Sequence, residues 1–210
     1  MIEVFQNYSD KLITALLEHI EITALSISIA FLLAAIITIF LLFHQDFRQL
    51  SVYILSLLYA IPSFALFALL IPITGLGKTT AIIVLVLYAQ YTMVRTFLSG
   101  LTQVDEHLIE AAKGMGMTKY QILFKVQLPL AKSSIFAGVR LASSAIIAIA
   151  TIAATINAGG LGTILFEGLR TMNLPKLSWG IILTVGLTLL VNLIIYLIEE
   201  LFKRESVVNG

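Results

Sequence analysis

Cysteine is absent from this 210-residue sequence, which excludes a disulfide framework and thiolate chemistry. Charge is scarce as well: 12% of residues are charged against 59% hydrophobic, and mean hydropathy is +1.01. A soluble domain of this length has too little interior for so much apolar surface, so the solvent for most of the chain is lipid. The net charge of +1 leaves no basic footprint for nucleic acid. His19, His44 and His107 are scattered, and none stands four residues from a second ligand, so no metal site is suggested. Acids, lysines and histidines are missing from the central parts of the long apolar runs, where an ion-coupled transporter or proton pump keeps its coupling site. No set of serine, histidine and acid looks catalytic, so no enzyme is expected, and the energy for any transport must come from elsewhere. The opening "MIEVFQNYSD" has no early lysine or arginine, unlike the basic region of a cleavable signal, so Met1 is expected to belong to the working protein.

What is present is apolar length. Runs of about 20 such residues, about 30 Å long as helix, match the hydrocarbon core. Five occur: Ile22 to Phe43, Leu50 to Ile73, Thr79 to Leu98, Ser133 to Ile156 and Trp179 to Leu201. No stretch alternates with period two as a barrel strand would, so the fold class is all-α, a polytopic membrane protein with five transmembrane helices. With the N-terminus outside, Arg48, Arg95, Lys113, Lys119, Lys125, Lys132, Arg140, Lys203 and Arg204 fall on the cytoplasmic side. Only Lys11, Lys78, Arg170 and Lys176 fall outside, an asymmetry that predicts N-out, C-in. Arg95 and Arg140 lie well within spans, toward the cytoplasmic side, and are expected to snorkel or pair there. Before the first span, Leu12, Ile13, Leu16, Leu17 and Ile20 share a helical face beside Glu18, His19 and Glu21. Residues 1–20 are therefore expected to form an interfacial segment or an extension of the span, with a partner-binding helix as the alternative.

The stretch "PITGLGKTT", Pro72 to Thr80, ends like a phosphate-binding loop, but Pro72 occupies the first-glycine position and offers no N–H. It also follows an apolar run far longer than a strand. It is expected to be a turn between two membrane helices, on the side away from ATP.

The longest polar connection is "SGLTQVDEHLIEAAKGMGMTKYQILFKVQLPLAK", residues 99–132, on the predicted cytoplasmic side. It reads as two short helices. Asp105 can cap the first, with Glu106 suiting its dipole, and Gly114 and Gly116 can end it. Thr118 to Gln121 forms a capping box for the second, and Pro129 marks where that helix must stop or bend. Glu110, Ala111, Ala112, Gly116, Val126, Leu128 and Pro129 resemble the E-A-A-x3-G-x9-I-x-L-P motif of ABC-importer permeases, with valine in place of isoleucine.

The resemblance implies a type I importer permease core over residues 21–202, a coupling loop at 99–132 and a cytoplasmic tail at 203–210. It implies that the motif docks on separate ABC ATPase subunits, which bind ATP and Mg, this chain holding no cofactor. Met115 and Met117 suit an apolar cleft there. A second permease subunit, identical or paralogous, is implied too, in a bacterial-type cell membrane.

Ser134, Gly138 and Ala142 repeat every four residues, as do Ala150, Ala154, Ala158 and Gly162. Such spacing serves close helix packing within one subunit or between two. "NAGGLGTILFEGLR" reads as a tight turn into a short external helix, with Asn157, Gly159 and Gly160 as gate candidates. Tyr59, Ser63, Tyr91, Thr151 and Thr155 are candidates to line a path. From about His19 to Phe202 the chain looks like permeases of quaternary-amine importers, which take up glycine betaine, carnitine, choline or proline betaine. The stretches that carry this are "YAIPSFALFALLIPITGLGKTTAIIVLVLY", "LIEAAKGMGMTKYQILFKVQLPLA" and "NAGGLGTILFEGL". Selection in such systems rests mainly with an external substrate-binding protein, expected here as a separate polypeptide because the chain ends soon after span five. A methionine-type or other small-solute permease, an ion-coupled transporter or channel subunit, and an exclusively structural membrane subunit remain open at this point.

Overall fold

The computed structural model describes residues 2–208, with side-chain surroundings over 8–203. Every regular element among them is helical. Helix α1 (Ile2–Phe43) contains no glycine or proline to break it, so the amphipathic stretch before the first span continues straight into that span. Its apolar part, Tyr8–Phe43, has 36 residues. At the helical rise that is roughly 54 Å, longer than the hydrocarbon core, so this helix must tilt or stand partly outside it. Its last carbonyls would be orphans, but Arg48 folds back and donates to the Leu41 and Leu42 carbonyls, both at 2.7 Å.

The second span departs from expectation. Instead of one straight helix over Leu50 to Ile73, the chain forms α2 (Arg48–Ala60) and α3 (Ser63–Thr74), bent by 95°. Pro62 is the cause: it has no N–H to continue the ladder, and it pushes Ile61 into extended backbone at φ −67°, ψ 129°. Among the described residues four helices are therefore long and apolar enough to cross a membrane, or five if the bent pair is one span. The Tyr88 hydroxyl donates to the Ile61 carbonyl freed at the break. The "GLGKTT" stretch is the turn into α4 (Lys78–Thr102), with Lys78 paired to Glu21 at 2.6 Å.

Helix α4 is the centre of the bundle and is largely buried, whereas the apolar part of the last helix, α9 (Leu174–Val208), is almost wholly uncovered. Next in sequence come α5 (Glu106–Gly114) and α6 (Lys119–Ile122), then α7 (Leu128–Ile152), which crosses α4 closely. A Cβ at Gly138 would lie 2.0 Å from the Thr96 hydroxyl, and one at Gly100 2.4 Å from the Ser134 Cβ. The small-residue repeat on span four is thus used within the chain, for backbone approach between two of its own helices. Span four also begins earlier than Ser133. The helix neither stops nor kinks sharply at Pro129; it widens into a π segment over Leu123–Gln127 and runs on, Lys119 to Ile156 being 38 residues. Widening the turn just before Pro129 accommodates the missing N–H and the ring without ending the helix.

A short 3-10 segment (Ala153–Ile156) closes α7, and α8 (Leu161–Arg170) follows, packed between α1 and α9 through Leu12, Ala15, Leu161 and Ile164. Arg140 pairs with Glu199 of α9, which is 4% exposed and also holds Lys203 at 2.8 Å. Of the two arginines expected to snorkel or pair, Arg140 therefore pairs inside the bundle, whereas Arg95 donates to the Tyr91 hydroxyl.

Candidate functional site

The motif residues gather at one end of α7. Asp105 caps α5 by accepting the His107 N–H at 2.9 Å. The helix stops as Gly116 takes φ +79° and its N–H reaches the Lys113 carbonyl at 2.9 Å. Thr118 and Gln121 then form the reciprocal box, Gln121 accepting the Thr118 N–H at 2.8 Å and donating its own backbone N–H to the Thr118 hydroxyl at 3.3 Å. Both predicted helices exist, and each is fixed by local chemistry that the sequence carries.

Anchoring to the bundle is tertiary. Leu123 and Ala131 bury against Leu42 of α1 and Leu101 of α4, and Gln127 donates to the Leu101 carbonyl at 3.1 Å. Glu110, Ala111 and Gly116 remain exposed, whereas Ala112 is buried; Val126 is half-buried and Leu128 and Pro129 are exposed. Four large apolar groups also stand outward here: Leu108, Met115, Tyr120 and Phe124, Met115 being 75% exposed. Sequence reasoning named only Met115 among them; the signal for the others was apolar residues inside an otherwise polar loop. A rigidly held short helix with an apolar outward surface can transmit displacement between a docked protein and α4 and α7.

At the opposite end of α7 stands the glycine turn. Asn157 takes φ 62°, Gly159 84° and Gly160 82°. Helix α1 supplies the caps for α8. Glu18 accepts the Gly160 N–H at 2.9 Å, and the His19 Nδ1 accepts the Leu161 N–H at 3.3 Å, so a carboxylate and an imidazole meet the positive end of α8. His19 is fully buried, and its Nε2–H donates to the Ile147 carbonyl at 3.1 Å, which selects the neutral Nε2–H tautomer. Glu167 on α8 accepts from Lys176 at 2.7 Å and Lys11 at 3.1 Å. These two ammonium groups, Lys176 first, hold its carboxyl below the usual glutamate value. Glu18, His19 and Glu167 carry this end, and no local pattern could reveal them, because they meet partners up to 156 residues away.

The five candidates for a path do not form one lining. Tyr59 and Tyr91 come together, ring centroids 5.1 Å apart, beside the helix break, with Ser63 at the start of α3. Thr151 and Thr155 donate to carbonyls of their own helix, Ala148 and Ile152, both at 2.7 Å, and Thr155 borders a cleft with Lys11, Thr163 and Glu167. They belong with the glycine turn. Among the described residues no three His, Asp or Glu side chains converge as a metal site would require.

Residues 26–206 match the family described as "Binding-protein-dependent transport system inner membrane component". The chain belongs to that family. Members are transport permeases, so this chain's role is passage through the membrane. It is 35% identical over 170 residues to the carnitine transport permease protein OpuCB of Listeria monocytogenes, covering 81% of this chain and 78% of that one. It is 29% identical over 200 residues to the choline transport system permease protein OpuBB of Bacillus subtilis (strain 168), covering 95% and 92%. With the ergothioneine transport permease/ergothioneine binding protein EgtU of Helicobacter pylori (strain G27) it shares 39% identity over 75% of this chain but only 28% of that protein. Among solved structures, the fold matches an inward-facing MetNI methionine ABC transporter with a TM-score of 0.82 at 23% identity, over 91% of this chain and 95% of that one. The architecture is thus that of a type I ABC-importer permease, with its second span broken at Pro62.

Proposed function

We propose that this chain is the pathway-forming permease subunit of an ATP-driven importer for quaternary-amine osmoprotectants such as glycine betaine, carnitine and choline. The observation that carries the coupling part is the exposed α5 with Glu110 and Ala111 and the turn at Gly116, followed directly by a helix that Leu123 and Gln127 fasten onto α1 and α4. In this reading a separate ATPase binds ATP and Mg2+ and docks on the patch made by α5, Met115 and Tyr120, and closure of the ATPase moves α7 against α4. This chain's own Gly-Lys-Thr run does not fit a phosphate: it joins two helices, and its lysine is taken by Glu21.

Orientation follows from charge. Among the described residues Lys113, Lys119, Lys125 and Lys132 gather at the loop end without a carboxylate in ion-pair contact, whereas at the turn end Lys11, Lys78 and Lys176 are each answered by one. We therefore place the loop end in the cytoplasm, and the turn Asn157–Gly160 with α8 outside, facing a separate substrate-binding protein. A second permease subunit, identical or paralogous, completes the path; the apolar faces of α2 and α9 are open to it and to lipid.

The substrate class is motivated by the relatives' printed activities, and the test is uptake. Labelled glycine betaine, carnitine and choline are offered to cells lacking this chain and to cells with it restored, at low and high osmolarity. Restored ATP-dependent uptake of any of them supports the reading. Uptake of none, with restored methionine uptake, replaces the substrate class and leaves the permease assignment standing.

A further inference from the structure

Three tyrosines and one arginine meet where span two is broken. The Tyr59 ring lies 5.1 Å from the Tyr91 ring and 5.6 Å from the Tyr88 ring, centroid to centroid. The Arg95 guanidinium carbon stands 5.6 Å from the Tyr91 centroid, and its N–H donates to the Tyr91 hydroxyl. Tyr88 is pinned, its hydroxyl committed to the Ile61 carbonyl, so it forms a fixed wall; Tyr59 is 40% exposed and Arg95 is exposed.

The charge is the anomaly. Arg95 sits inside α4, roughly 26 Å along the helix from Lys78 and roughly 10 Å short of Thr102. Arg140, the other arginine within a span, is neutralised by Glu199, but no carboxylate among the described residues pairs with Arg95. Arg95 is exposed and about two turns from the loop end of α4, so its guanidinium reaches toward water there and is open to a ligand.

We infer that Tyr59, Tyr91 and Arg95 form a transit site in the permease for carboxylate-bearing quaternary amines, the rings taking the ammonium and Arg95 the carboxylate. This rests on the function proposed above and adds a selectivity element to it. A quaternary ammonium has no N–H, so only aromatic faces and other apolar or negative surfaces can hold it. A guanidinium is the side chain best matched to a carboxylate. Tyr91 and Arg95 are four residues apart and so share one helix face, which places an aromatic ring and a guanidinium side by side. Choline has the ammonium but no carboxylate, so it uses the rings alone.

The experiment reconstitutes the complete transporter, with its ATPase and binding protein, in vesicles loaded with ATP. It measures the ratio of labelled glycine betaine uptake to labelled choline uptake at equal amounts of assembled complex. Arg95→Gln is expected to lower that ratio about tenfold, the size of one lost charge-assisted hydrogen bond, and Arg95→Lys to restore most of it. Tyr59→Leu and Tyr91→Leu are expected to lower uptake of both solutes and leave the ratio within about twofold. An unchanged ratio in Arg95→Gln, which is the outcome if Arg95 only anchors the helix to lipid phosphate, overturns the site. The wild-type vesicles separate the two claims: if they carry no quaternary amine, the functional reading fails first, whatever the variants do.

Discussion

Gly160 donates its backbone N–H to the Glu18 carboxylate at 2.9 Å, across 142 residues, so the first helix of the chain caps the helix that follows the fourth span. The contact leaves no room for side chains on the turn. A Cβ at Gly159 would lie 2.3 Å from the Glu18 Oε2, and one at Gly160 would lie 2.9 Å from the His19 Nδ1.

A pair of glycines separates backbone strain from packing. Gly75 and Gly160 have nearly the same φ, +80° and +82°, but a Cβ at Gly75 meets nothing within 4 Å. Gly75→Ala should cost about 1–3 kcal/mol, the strain alone, because φ +80° with ψ −177° is a region essentially reserved to glycine. Gly160→Ala should cost at least about 1 kcal/mol more, because His19 is bonded on both sides and cannot retreat. Thermal unfolding of the two variants in detergent checks this; equal losses would mean that the imidazole yields.

Replacing His19 tests the cap from the other side. His19→Leu removes the acceptor for the Leu161 N–H at a buried helix start and should destabilise by about 1–3 kcal/mol. His19→Gln, which keeps a donor and an acceptor, should lose less. Unfolding midpoints in the same detergent rank the three proteins.

Glu167 supplies a pH dependence. Its folded value lies below the ordinary 4.5, so the stability it contributes is complete above that pH and is lost as pH falls through the lowered folded value. Unfolding midpoints between pH 7 and pH 3 should therefore converge for wild type and Glu167→Gln at the acid end and differ most near neutrality. A constant gap across the range would contradict this.

The Arg140–Glu199 pair should respond to single and double replacement differently. Arg140→Met leaves a carboxylate that is 4% exposed with Lys203 alone, and should cost about 3 kcal/mol. Arg140→Met with Glu199→Leu should recover most of that, since neither charge then remains buried. The double-mutant cycle measured by thermal unfolding is decisive if the double variant is no less stable than the single.

At the coupling segment, Gly116→Val and Glu110→Lys should reduce transport at least about tenfold while the chain still inserts. The first forces a β-branched residue to φ +79°, and the second reverses a charge on the exposed face of α5. ATP hydrolysis and solute uptake measured on one reconstituted complex should separate, with hydrolysis continuing. Unaltered uptake would remove the coupling role.

Periodicity explains why much of this was legible in one dimension. Apolar runs of about 20 residues with no period-two alternation can only be helices in lipid, and a cap such as Thr118 with Gln121 acts over three residues, so both are local properties. The bend at Pro62 was equally local, but an apolar run reads the same whether its helix is straight or broken. Tyr59 and Tyr91 were visible as residues and not as a pair, since their rings meet only because the bend turns α2 toward α4.

By itself the sequence determined that the chain is helical, that its medium is lipid, and that a capped polar segment with the Glu110 to Pro129 pattern stands between two spans. Those conclusions need only hydropathy and interactions across a few residues. Tertiary structure alone decided that Glu18 and His19 hold the glycine turn, that Arg140 is neutralised and Arg95 is not, and that the small-residue stripe packs inward against Thr96 and Phe97. These contacts join residues tens to more than a hundred positions apart, and helix packing geometry sets which of them meet.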